Sequence, residues 1–150
     1  MSILSAMMTR AEQWDYRLDG VNPCSRIKRN PGRKCERHLS DAELATLGAV
    51  LRRRRGSGTE RQRLGAAAIS LLLLTGCRRS EIVDLSGREI RGQRLQLGDS
   101  KVGPRTIWLG DEAKSIIDSL PEATGDELVF AGDDWRLSVS NLDDVWHATR

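Results

Sequence analysis

Thr75-Gly76-Cys77-Arg78-Arg79-Ser80-Glu81-Ile82-Val83-Asp84-Leu85, followed downstream by Asp99-Ser100-Lys101-Val102-Gly103-Pro104-Arg105-Thr106-Ile107, is the stretch on which the fold of this chain turns. Before it, Leu64 to Leu74 is an apolar run interrupted only by Gly65 and polar Ser70. It falls far short of the ~18 apolar residues needed to cross a bilayer and reads as a buried helix. Thr75-Gly76 breaks that helix, and Arg78 to Leu85 reads as a new short helix with Ile82, Val83 and Leu85 inward. Arg78 therefore stands at a fresh helix start, held by backbone instead of on a flexible arm. A guanidinium there can grip two non-bridging oxygens of one phosphate, and Glu81, three residues on, can orient it.

After Gly87 the hydrophobic period changes. Ile90, then Leu95 and Leu97, then Thr106 to Leu109 predict three short strands, with turns at Arg91-Gly92 and at Lys101-Val102-Gly103-Pro104. Residues 93–97 should pair with 105–109, with Leu95, Ile107 and Leu109 on a small apolar face. Lys101 would sit at the hairpin tip, where an ammonium can reach a phosphate and give up a proton. Arginine with a mobile lysine is a set suited to phosphodiester cleavage without a metal.

Working outward, residues 2–17 read as one amphipathic helix, ended by Gly20, Asn22 and Pro23. From there to His38 there is no hydrophobic period. Pro23, Pro31 and Gly32 alternate with Arg26, Lys28, Arg29, Arg33, Lys34 and Arg37, as in an extended basic linker fit to touch a phosphate backbone. Ser40 with Glu43, and Thr59 with Gln62, are capping boxes opening two helices, and Arg52 to Arg55 suit the C-terminal dipole of the first. Gly56 and Gly58 should make the turn between them. Asp111 to Leu120 reads as a helix, Leu128-Val129-Phe130 as a short buried strand, and Ser138 or Ser140 as the cap of a last helix holding Leu142, Val145 and Trp146. The expected class is α+β, mainly helical with a small three-stranded antiparallel sheet.

Of the 150 residues, 39% are hydrophobic and 30% charged, which fits a globular chain with one core. The net charge of +3 conceals an asymmetry: residues 1–110 carry +10 and residues 111–150 carry −7. A basic face of that size points to a polyanion, nucleic acid above all. Cys24, Cys35 and Cys77 form no CxxC pattern, and Cys35 with His38 lacks a second ligand pair. Reduced thiols, no metal and no cofactor are expected. No targeting signal or membrane span is legible, so a cytoplasmic protein without membrane contact is expected.

The Thr-Gly-apolar-Arg-x-x-Glu stretch and the following Lys-x-Gly hairpin with its downstream arginine resemble the tyrosine recombinase (phage integrase) family. Cys77 stands where that family usually has leucine or methionine. Trp14 through Cys24, the basic linker and Arg37 to Leu44 are similar to the junction between core-binding and catalytic domains. The resemblance implies a remnant of the last core-binding helix at 1–20, a linker at 21–38 and the N-terminal half of a catalytic domain at 39–150. It implies site-specific DNA breaking and rejoining on double-stranded DNA, in tetramers, without a small-molecule cofactor. Arg78 would stabilise charge on the scissile phosphate, Glu81 would support it, and Lys101 would be the general acid. Arg79 and Arg105, with Arg26, Lys28, Arg29, Arg33 and Lys34, would contact DNA, or, for Arg79 and Arg105, serve structure.

The family also uses a His-x-x-Arg box and an attacking tyrosine. Tyr16 is the one tyrosine here, and it precedes the linker. His147-Ala148-Thr149-Arg150 spells the box, but the run from Leu142 resembles the helix that precedes it. The expectation is a truncated chain, either a partial gene in a mobile element or a boundary fragment of a larger reading frame, inactive alone. A non-catalytic DNA-binding module competing with an intact recombinase is the alternative, and a basic interaction protein with no nucleic-acid role is a third.

Overall fold

The computed structural model describes residues 2–20, 22–27, 37–98, 103–132 and 135–147. The chain divides into two compact units, Met1–His38 and Leu39–Arg150.

In the first unit, helix α1 (Ser2–Gln13) ends four residues before the predicted limit. Asp15 adopts a left-handed conformation (φ 59°), and the amides of Asp15 and Tyr16 donate to Glu12 O and Ala11 O at 3.1 and 2.9 Å. This is a Schellman stop with aspartate in the place glycine usually takes, which is why apolar periodicity alone overran it. The Asn22 side chain then ties the following turn back to α1, donating to Ser5 O and Thr9 Oγ1, both at 3.0 Å.

The second unit is built around α3 (Glu60–Thr75), in which every residue from Leu64 to Leu71 is buried. Helix α2 (Asp41–Ser57), α4 (Arg79–Val83), α5 (Asp111–Asp118) and α6 (Val139–His147) all pack against α3. Both capping boxes form: Ser40 with Glu43 opens α2, and Thr59 with Gln62 opens α3. Helix α2 runs through Gly56 to Ser57 and stops only at Gly58, whose amide donates to Arg54 O at 3.0 Å. Gly65 is a packing glycine. A Cβ there would lie 2.8 Å from Val145 Cγ2, so its absence lets α6 approach the α3 backbone. Ser138 Oγ accepts from Asn141 N at 3.2 Å, capping the last helix as expected.

A three-stranded antiparallel sheet in the order β1-β2-β3 joins Ile90–Arg91, Arg94–Leu97 and Arg105–Trp108. Leu95 faces Ile107 and Leu97 faces Arg105, and the Leu109 amide extends the ladder to Gln93 O at 2.9 Å. Leu95, Leu97 and Leu109 are buried, as the alternation predicts. The α+β class, mainly helical with this small sheet, is therefore the observed one.

The expected strand at Leu128–Phe130 is a correction. Leu128 forms only an isolated bridge to Ser86, while Val129 and Phe130 are both buried. The burial is as expected, but it is reached in a turn at Val129 and Phe130 and not in a strand. Val129 N donates to Leu85 O at 2.9 Å and Gly87 N to Glu127 O at 3.0 Å on either side of that bridge, and the backbone then turns away. Strands β4 (Ala131–Gly132) and β5 (Trp135–Arg136), not expected from the sequence, form a second small sheet just beyond it. Among the described residues no helix is long and apolar enough to cross a membrane.

Candidate functional site

The break between α3 and α4 is made by three consecutive residues. Thr75 Oγ1 donates to Leu71 O at 2.6 Å and accepts from Cys77 N at 3.3 Å, turning the chain off the helix axis. Gly76 is left-handed (φ +65°), a conformation that would strain a side chain. Cys77 is buried beneath the turn, and burial pushes its thiol pKa up despite the hydrogen bond from Thr75 and the nearby Arg105. The thiol thus stays protonated at neutral pH and serves packing. Arg78 follows in extended conformation as the N-cap of α4.

Glu81 is the hub. Its side chain is 5% exposed, and it is an acid on the buried side of a five-residue helix. Oε2 accepts the Arg78 backbone amide at 2.7 Å, and Oε1 accepts Arg78 Nη1 at 2.7 Å. Oε2 also accepts Arg105 Nη2, across 24 residues of sequence. Burial alone would raise the carboxyl pKa. The hydrogen bonds from the Arg78 amide, the Arg78 guanidinium and Arg105 outweigh it, and Glu81 titrates below the ordinary carboxylate value. An ionised carboxylate is thus held between two guanidiniums, one of them, on Arg78, 40% exposed at the surface.

Arg105 joins this group from the first position of β3. It lies on the same face of the strand as Ile107, so the period-2 pattern that puts Ile107 inward also turns Arg105 inward. That was the available signal for its partnership with Glu81, which sequence reasoning missed. Arg79 points elsewhere. Its Nη1 lies 2.6 Å from Asp143 Oδ1 on α6, an ion pair with both partners half exposed. Asp143 is thus one acidic residue of the C-terminal stretch that comes close to the arginine-bearing break.

Arg26 and Arg37 are exposed in the first unit. Lys28, Arg29, Arg33, Lys34 and Lys101 lie outside the described residues, as does Arg150. The structure therefore brings together Arg78, Glu81 and Arg105 and leaves Arg79 apart. Among the described residues no cluster of three or more histidine, cysteine, aspartate or glutamate residues could hold a metal ion.

This architecture, a helical domain with a small antiparallel sheet, is an integrase-like fold. Among solved structures it is similar to an integrase from mycobacterium phage Brujita, with a TM-score of 0.59 and 22% sequence identity. The match covers 97% of this chain and 47% of that one, so the chain spans about half the length of the integrase it resembles. No protein-family model matches the sequence, and no curated protein matches it.

Proposed function

We propose that the chain belongs to the machinery of site-specific DNA recombination or integration, of the kind that breaks and rejoins double-stranded DNA through a phosphotyrosyl intermediate. The observation that carries this reading is the Arg78–Glu81–Arg105 group at the helix break of an integrase-like fold. In this reading Arg78 grips the non-bridging oxygens of the scissile phosphate and stabilises the charge that builds there. Glu81, ionised throughout the neutral range, fixes the arginine before DNA arrives, so that no reorganisation is needed at the moment of reaction. Lys101 protonates the leaving 5′ oxygen. Arg26, Lys28, Arg29, Arg33 and Lys34 hold the DNA backbone from the linker. Residues 1–20 are the last helix of a core-binding domain, 21–38 the linker and 39–150 the first part of the catalytic domain. The protein works in tetramers on DNA, in the cytoplasm and without a cofactor.

These 150 residues hold one tyrosine, Tyr16, in the other compact unit from Arg78. That observation favours a second reading beside the first, a DNA-binding module that occupies a recombination site without cutting. On either reading the chain is inactive alone, and a nicked suicide substrate should trap no tyrosyl–DNA adduct. Such an adduct would overturn the inactivity.

The two readings separate by NMR of the arginine Nε–Hε groups during titration with a short DNA duplex. Catalytic ancestry requires the Arg78 signal to shift on binding. Duplex binding that leaves Arg78 untouched while Arg26 and Arg37 respond would discard the catalytic reading and keep the competitor. Absence of duplex binding even at low salt would discard both.

A further inference from the structure

We infer that Arg105 is a positioning residue for Arg78, acting through Glu81, and not a contact to the DNA backbone. The inference rests on the reading of Arg78 as the phosphate-gripping arginine.

A helix of five residues cannot hold its own first turn, because nucleation is costly and few hydrogen bonds return it. A lone Arg–Glu pair three residues apart adds only a few tenths of a kcal/mol on a free helix. Something outside α4 must fix the Glu81 carboxylate, and Arg105 is placed to do so. Its backbone is set by the β2–β3 ladder opposite Leu97, which is buried, and its side chain reaches α4 from there. Oε2 of Glu81 takes the Arg105 guanidinium and the Arg78 amide together, so the carboxylate plane is set by two elements at once. With that plane set, Oε1 is presented to Arg78 Nη1 in one direction only.

The guanidinium of Arg105 is also poorly disposed toward a phosphate. A bidentate grip needs two N–H groups pointing along one open edge. Here Nε is buried without a hydrogen-bond partner and Nη2 is engaged with Glu81. What remains of the fork offers no open edge through Nε. Arg105 thus faces the carboxylate that orients the other arginine, with its Nε buried while the side chain as a whole is 36% exposed.

The test is a double-mutant cycle with the full chain, using Arg105→Gln, Glu81→Gln and the pair. Two readouts apply: the Arg78 Nε–Hε resonance without DNA, and affinity for a short mixed-sequence duplex across a salt series. Each single variant should move the Arg78 resonance, and to a similar position, because both release the same carboxylate geometry. Each should weaken duplex binding about fivefold, the size of one net hydrogen bond, with the double variant no weaker than Glu81→Gln. The salt slope should be unchanged in Arg105→Gln. A double variant whose loss is the product of the two singles, or a slope reduced by the ~0.9 expected for one lost phosphate contact, would overturn the inference. So would an Arg78 resonance that stays in place. If Arg105→Gln does not fold, Arg105→Lys, which keeps a cation near Glu81 but not the fork, carries the same cycle. If Arg78→Gln leaves duplex affinity unchanged, the phosphate reading fails instead, while the Arg78 resonance in the DNA-free wild type and Arg105 variants still judges Arg105.

Discussion

Arginines gather at two helix ends in the second unit, and the two gatherings are built differently. Arg52 to Arg55 follow one another at the end of α2, where successive residues fan around the helix axis and no two neighbours share a face. Arg52 and Arg53 are exposed, and Arg54 and Arg55 are partly buried. At the break between α3 and α4, Arg78 and Arg105 come from distant segments and meet on one buried carboxylate. The first place has the higher local charge and the second has the geometry. Density of charge is what a sequence displays most readily, but a defined direction for a guanidinium comes from a partner that the fold supplies.

The largest effect expected is at Glu81. Breaking a fully buried ion pair costs about 3–5 kcal/mol. The guanidiniums here are partly exposed, so solvent screening reduces the figure, and Glu81→Gln should destabilise the unit by about 2 kcal/mol in urea unfolding. A loss within 0.5 kcal/mol would put Glu81 on a par with the arginines closing α2 and erase the contrast. The same residue predicts a pH dependence. Its folded pKa lies below the unfolded one, so its contribution is fully present above the unfolded value and is lost as pH falls through the folded one. The stability gap between wild type and Glu81→Gln should hold steady from neutrality down to about pH 4.3 and narrow below it. Denaturation at a series of pH values checks this, and a gap that widens in acid would reverse the assigned shift.

A smaller effect is expected at Gly76. Gly76→Val forces a β-branched residue into left-handed backbone at a cost of about 1–2 kcal/mol, with open space around the new Cβ, so the strain is conformational and not steric crowding. Thermal unfolding measures it, and the wild-type Tm would show that the break tolerates another backbone. Smallest of all, Arg53→Gln should change stability by less than about 0.5 kcal/mol, measured the same way. A larger loss would mean that Arg53, too, is organised by a partner.

What the sequence made legible was local. The capping boxes at Ser40 and Thr59, the break at Thr75-Gly76 and the register of β2 with β3 each depend on residues a few positions apart, or on alternation within one hairpin. The misses had non-local or unusual causes. Helix α1 stopped early because Asp15 took a left-handed conformation that glycine would have advertised. Val129 and Phe130 read as a strand because a short apolar run is buried equally well in a turn. For Arg105 the alternation of β3 marks only an inward direction, while its carboxylate partner lies 24 residues upstream, beyond the reach of local pattern. Glu81 beside Arg78 was legible from spacing, but that it serves two arginines was not.

The backbone amide of Arg78 donates to the same carboxylate oxygen that holds Arg105. That amide belongs to the N-cap residue of a helix, where no intrahelical acceptor exists, so its protection from deuterium exchange depends on the side chain of Glu81 staying in place. Glu81 in turn is held by a strand of the hairpin. Slow exchange at this single amide would therefore record how often the sheet and the short helix part company, an opening that leaves the rest of α3 and its buried leucines intact.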